Sequence, residues 1–263
     1  MNSPQAMARF FLGYLHSNVQ AALEYRTSLL SQAFGMFLTN VMWVTFWSAY
    51  FGRFHLPGWS PFDVVTLWAI IAASYGLANT WCGNSVRLAG MIVRGEMDFY
   101  LALPKPVLPH ALISRMHLVA PGDLVFGYLA YGLIVRPDLT HWALFAVCTV
   151  TGAVILVSFC VLAASTAFWL GSAEGIFGQL YSALINFSTY PTPIFEGAAK
   201  LMIYTVIPAG FIVGVPVELL RAPSGVLLLE LVGVAVLFAA TSVFTFSAGL
   251  RRYTSGNLVV LRE

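Results

Sequence analysis

Apolar residues in this chain are gathered into long, nearly uninterrupted runs at about 27–51, 61–86, 111–135, 142–170, 175–190 and 226–250. Short stretches between them hold most of the charges and prolines. A helix must carry about 20 predominantly apolar residues to cross the hydrocarbon of a bilayer. The pattern therefore predicts an all-α integral membrane protein with six transmembrane helices. The first run ends in Trp43, Phe46, Trp47, Tyr50 and Phe51, the aromatic belt of a headgroup boundary. In the third run, Pro121-Gly122 predicts a kink.

Ahead of the first run, residues 5–25 alternate differently. Phe10, Phe11, Tyr14, Leu15, Val19 and Ala22 recur at helical spacing, with Arg9, His16, Gln20 and Glu24 between them. An apolar stripe on a helix too polar to cross predicts a helix lying in the interface plane. It has no apolar core followed by a cleavage site, so it does not read as a signal peptide. Residues 190–223 are apolar but broken by Pro191, Pro193, Pro208, Pro216 and Pro223. That predicts a broken or re-entrant helix buried against protein, since irregular backbone is not tolerated in lipid. Three parts follow: an interfacial helix at 1–26, a six-helix domain at 27–250 and a polar tail at 251–263.

Composition agrees with this reading. The 263 residues are 59% hydrophobic and 9% charged, far below the share of about 25% that a soluble domain carries. A net charge of +2 offers no basic stripe for nucleic acid. With both termini inside, nine Arg and Lys fall on the cytoplasmic side and four outside, in the sense of the positive-inside rule. Cys82, Cys148 and Cys160 all lie in apolar runs and read as small core residues.

The densest polar stretch between two runs is VRGEMDFYLALPKPVLPH, residues 93–110. Residues 86–103 can form a short amphipathic helix exposing Glu96 and Asp98, with Pro104 as its stop. Such a helix, parallel to the membrane and facing the cytoplasm, suits docking into a groove on a soluble partner. The chain itself lacks an engine. Its two lysines, Lys105 and Lys200, belong to no G-x-x-x-x-G-K-[ST] loop. Hydrolase, metalloprotease and metal-ligand motifs are also missing, so no cofactor and no catalytic residue is expected on this chain.

Asp123 is the carboxylate set well inside a run. A charge there costs about 2.5–3.5 kcal/mol on insertion scales. Two readings stay open: a substrate or gating residue, or a cap on a helix that starts after Pro121.

Three stretches, GEMDFYLALPKPVLPH (95–110), TYPTPIFEG (189–197) and IPAGF (207–211), resemble the ABC-2 type transporter permeases, and the resemblance runs over essentially the whole chain. It implies a dimeric membrane core, of two copies or of two related permeases, working with separate cytoplasmic P-loop ATPase subunits that hold ATP and Mg²⁺. It implies a coupling helix at about 87–103, with Met91, Arg94, Gly95, Glu96, Asp98, Phe99, Leu101, Leu103 and Pro104 at the ATPase contact. It implies re-entrant helices at about 191–215. Asp123, Tyr190, Pro191 and Glu196 are then the candidates for a substrate path or gate, and the bacterial inner membrane is the expected location. The family's substrates range from drugs and cationic dyes to lipids, peptides and polysaccharides. The competing expectation is an ion- or proton-coupled secondary transporter that titrates Asp123, although no internal repeat between the halves supports it.

Overall fold

The computed structural model describes residues 4–24, 26–171 and 173–254, and every regular element among them is helical. The expected tail beyond Thr254, Arg262 included, lies outside them. In chain order the helices are α1 (Pro4–Glu24), α2 (Arg26–Phe51), α3 (Pro61–Trp81), α4 (Leu88–Val93), α5 (Met97–Leu101), α6 (Val107–Ile113), α7 (Pro121–Ala130), α8 (Leu139–Ser165), α9 (Ala167–Leu170), α10 (Glu174–Ser188), α11 (Gly197–Thr205), α12 (Val215–Arg221) and α13 (Gly225–Leu250).

Four segments are long and apolar enough to cross a membrane: α2, α3, α8 with α9, and α13. The pair formed by α11 and Gly210–Arg221, bent by 77°, is a fifth candidate, either a broken span or a re-entrant loop. This is a multi-pass arrangement. α2 and α13 leave Phe34, Phe37, Met42, Leu229, Val236 and Phe244 largely uncovered, an apolar surface far beyond what a water-soluble monomer shows.

α3 is the central helix, packed against α2, α7, α8 and α12. Its start is set locally: Ser60 caps it and Pro61 occupies its first turn, where no N–H is needed. Asp63 closes the capping box by accepting the Ser60 N–H at 2.7 Å and ion-pairs with Arg221 of α12 at 2.8 Å. Small residues then let backbones meet. Gly76 faces the Ala120–Leu124 backbone, and Gly127 faces Ala69 and Ala73, the close approach that membrane helices favour.

Two expectations need correction. No continuous helix covers 111–135. α6 ends at Ile113, Ser114–Ala120 is irregular, and Pro121 begins α7 instead of bending a longer helix. Proline lacks the N–H that a helix interior needs and the first turn does not. The irregular stretch is satisfied by side chains and backbone from elsewhere: Met116 N–H donates to Asn18 Oδ1 at 3.2 Å, His117 N–H to Asn79 O at 3.1 Å, and Asn84 donates to Ala111 O and Ser114 Oγ.

Nor do residues 86–103 form one helix. α4 stops at Gly95, whose φ of +77° is left-handed. Glu96 N–H reaches Met91 O and Gly95 N–H reaches Ile92 O, the paired bonds of a Schellman cap. α5 follows and ends at Leu101, so Pro104 stands in the exposed turn beyond it and terminates nothing.

Candidate functional site

The turn between α4 and α5 carries a small ion network. Arg94 Nε donates to Glu96 Oε1 at 2.9 Å, and Arg94 Nη1 lies 3.1 Å from Glu174 Oε1 in the first turn of α10. Gly90 makes room for it, since a Cβ there would stand 2.6 Å from Glu174 Oε1 and 2.7 Å from Arg94 Nη1. These side chains are about half exposed, so the tie is worth at most about 1 kcal/mol. It fixes geometry more than it adds stability.

Beyond the network, Asp98, Phe99, Leu101, Leu103 and Pro104 are exposed within seven positions of sequence, around the buried Tyr100. Phe99 is 60% exposed, high for an aromatic side chain on a polar rim. Met91 is different. At 2% exposure it belongs to the core and is not part of that surface. Gly95 is buried as well. From below, α5 is held by Tyr253, just past the end of α13. The Tyr253 hydroxyl is buried against Asp98 and the Met97 backbone without a well-formed hydrogen bond. Burial first, and the Asp98 charge second, push it up to about 12.

α1 docks on the same side. Tyr14 and His110 Nε2 are 2.7 Å apart, and the His110 ring meets Tyr100 edge to face at 4.9 Å. Burial, then the charge on Lys105, holds His110 below its ordinary 6.5. Among the described residues no group of His, Cys, Asp and Glu is arranged to hold a metal ion.

A second feature lies between α2, α3, α7 and the end of α10. It is a cavity of about 290 Å³ with Asn40, Trp43, Trp68, Tyr75, Asp123 and Asn186 among its walls. Asp123, 6% exposed, accepts a 2.6 Å hydrogen bond from Asn40 Nδ2 on its Oδ1. Asn40 lies near the middle of α2, fourteen residues after Arg26 and eleven before Phe51. Asp123 therefore sits at mid-depth of that span. Its partner is Asn40, not Arg115, which the break at Ser114–Ala120 carries back toward the Gly83 turn. Nor does the Asp123 side chain cap α7. Trp43 and Trp68 stack at 5.2 Å with 16° between their planes, and Tyr190 meets Trp43 edge-on at 6.4 Å.

The family described as ABC-2 family transporter protein matches the chain over residues 33–257. The chain belongs to this family. No curated protein and no solved structure matches it.

For an ABC-2 family member, the sequence-derived site residues separate into groups. Arg94, Glu96, Asp98, Phe99, Leu101, Leu103 and Pro104 share one exposed surface, while Met91 and Gly95 lie beneath it. Asp123 lines the cavity, and Tyr190 touches it through Trp43. Pro191 is buried beside Tyr190, and Glu196 is exposed at the start of α11, outside the cavity wall. Sequence reasoning missed Glu174, Asn40, Trp68 and Tyr75. Asn40 carried a usable signal, as a lone amide in the middle of an apolar run. Glu174 carried none, because its pairing with Arg94 spans 80 positions.

Proposed function

We propose that the chain is the permease subunit of an ATP-driven exporter in the bacterial inner membrane, with both termini cytoplasmic. The observation that carries this reading is the exposed acidic and apolar surface of Glu96, Asp98, Phe99, Leu101 and Leu103, tied by Arg94 to the first turn of α10. α10 is about 22 Å long at helical rise, and residues at its far end line the Asp123 cavity. Separate P-loop ATPase subunits, carrying ATP and Mg²⁺, would seat on that surface, with their basic residues on Glu96 and Asp98 and an apolar groove around Phe99. Their closure on ATP would move α4 and α5, and the Arg94–Glu174 tie would pass the movement to α10 and so to the cavity.

In this reading the segment at 87–103 is a two-part coupling element, not one helix. The six-helix domain at 27–250 counts 111–135, α7 with its irregular approach, as the third span, α10 as the fifth and the bent α11–α12 pair as re-entrant. A second permease, identical or related, completes the membrane core.

The test reverses charge at Glu96 and Asp98 together. ATPase subunits should no longer co-purify and ATP-driven transport should stop, while membrane insertion and permease pairing persist. Unchanged transport in the double variant would sink the assignment.

A second reading has one observation in its favour, the buried Asp123 in the cavity. An ion- or proton-coupled transporter would run on a gradient in vesicles without any ATPase, and the Glu96/Asp98 variant would leave it unaffected.

A further inference from the structure

Asp123 is a mid-depth carboxylate with no positive partner among the described residues: no Arg, Lys or His of theirs is within ion-pair distance of it. Asn40 satisfies Oδ1, and Oδ2 accepts no hydrogen bond from a described residue yet is not sealed off, since Asp123 forms part of the cavity wall. A buried carboxylate with only a neutral amide beside it is costly, and the arrangement gains most from a cation. The rest of the wall suits one particular kind. Trp43, Trp68 and Tyr75 all lie on the wall, and aromatic rings attract a cation electrostatically and also bury an apolar body. Met36, Ile71 and Ile185 supply apolar surface. A volume of about 290 Å³ is at the small end of the range for small-molecule sites.

We propose that this cavity binds an amphipathic organic monocation, its ammonium group at Asp123 Oδ2 and its apolar body against Trp43, Trp68 and Tyr75. Divalent metal sites gather several carboxylates, whereas Asp123 is the one carboxylate among the wall residues and no metal-holding group is formed among the described residues. A neutral apolar ligand would leave the carboxylate unpaired. As a statement about transported substrate, the proposal rests on the exporter reading; as a statement about binding, it does not.

The test uses the complex extracted from native membranes, reconstituted in lipid nanodiscs, with two probes of nearly equal shape: benzyltrimethylammonium and its uncharged isostere neopentylbenzene. Saturable binding of the labelled cation is expected, with neopentylbenzene competing about tenfold more weakly or worse. Asp123→Asn should weaken the cation by about tenfold or more and Asp123→Glu should restore most of it. Trp43→Leu should also weaken the cation, and Trp43→Phe, which keeps an aromatic ring, should restore part of the binding. The wild-type comparison of the two probes needs no variant, so it decides the matter even where Asp123→Asn fails to fold. Absent saturable binding, equal competition by the neutral isostere, or a folded Asp123→Asn that binds normally would each overturn the proposal. Cation binding that persists without any ATP-driven movement of the cation would overturn its role as transported substrate and leave the binding site standing, while the exporter reading is decided separately by the Glu96/Asp98 variant.

Discussion

Replacing Gly76 by alanine adds one methyl group where α3 and α7 meet backbone to backbone. An ideal Cβ there falls 2.8 Å from Ala120 O and 2.9 Å from Leu124 Cα, and closer still to Leu124 N–H. Ordinary carbon contacts are about 3.5–4.0 Å, so α7 must retreat by about 1 Å. No side-chain tip can give way, because all three atoms are backbone. Overpacking of this kind costs about 1–3 kcal/mol. The retreat also involves Asp123, which stands between Ala120 and Leu124. A hydrogen bond of 2.6 Å to Asn40 lengthened by that shift is mostly lost, adding about 1–3 kcal/mol. The unfolding midpoint in detergent should therefore fall clearly. The control is Gly233→Ala on α13, an exposed helical position where an added Cβ meets nothing within 4 Å. Helix propensity alone should leave that variant neutral or up to about 1 kcal/mol more stable. If the two variants shift the midpoint equally, the close packing of α3 on α7 is refuted.

Two further outcomes are expected. Gly90→Ala should separate Arg94 from Glu174 by swinging flexible side-chain ends apart. Stability should change by less than about 1 kcal/mol while ATP-driven transport falls, and a variant that splits the pair yet transports normally would remove the tie from the mechanism. His110, held below 6.5 by burial and then by Lys105, takes up its proton less readily when folded than in the unfolded chain, which binds one near 6.5. Its stabilising contribution is therefore whole above 6.5 and declines as pH falls through that value, levelling off below the folded pKa. Thermal midpoints measured from pH 8 to 5 should fall over that window, and His110→Gln should flatten part of the slope. An unaltered slope in the variant would refute the reasoning.

The apolar runs by themselves determined the class of this protein, because hydrocarbon imposes one length and one composition on any helix that crosses it. They placed α2 and α13 to within one residue, and α8 with α9 to within three. The break at Gly95 was also legible, as glycine after an apolar run is the signature of a helix stop, and the weight given to Pro104 obscured it. What the runs did not contain was which polar atoms meet. The irregular stretch Ser114–Ala120 exists because Asn18, Asn79 and Asn84 come from three other places in the chain to satisfy it. Met91 shares its sequence neighbourhood with Phe99 yet faces inward, because the turn at Gly95 reorients the chain between them. Asp123 meets Asn40 across 83 positions and Arg94 meets Glu174 across 80. Periodicity reports which face of a helix avoids water. Only the packing of one helix on another decides which buried carboxylate has a partner, and which is left facing a cavity.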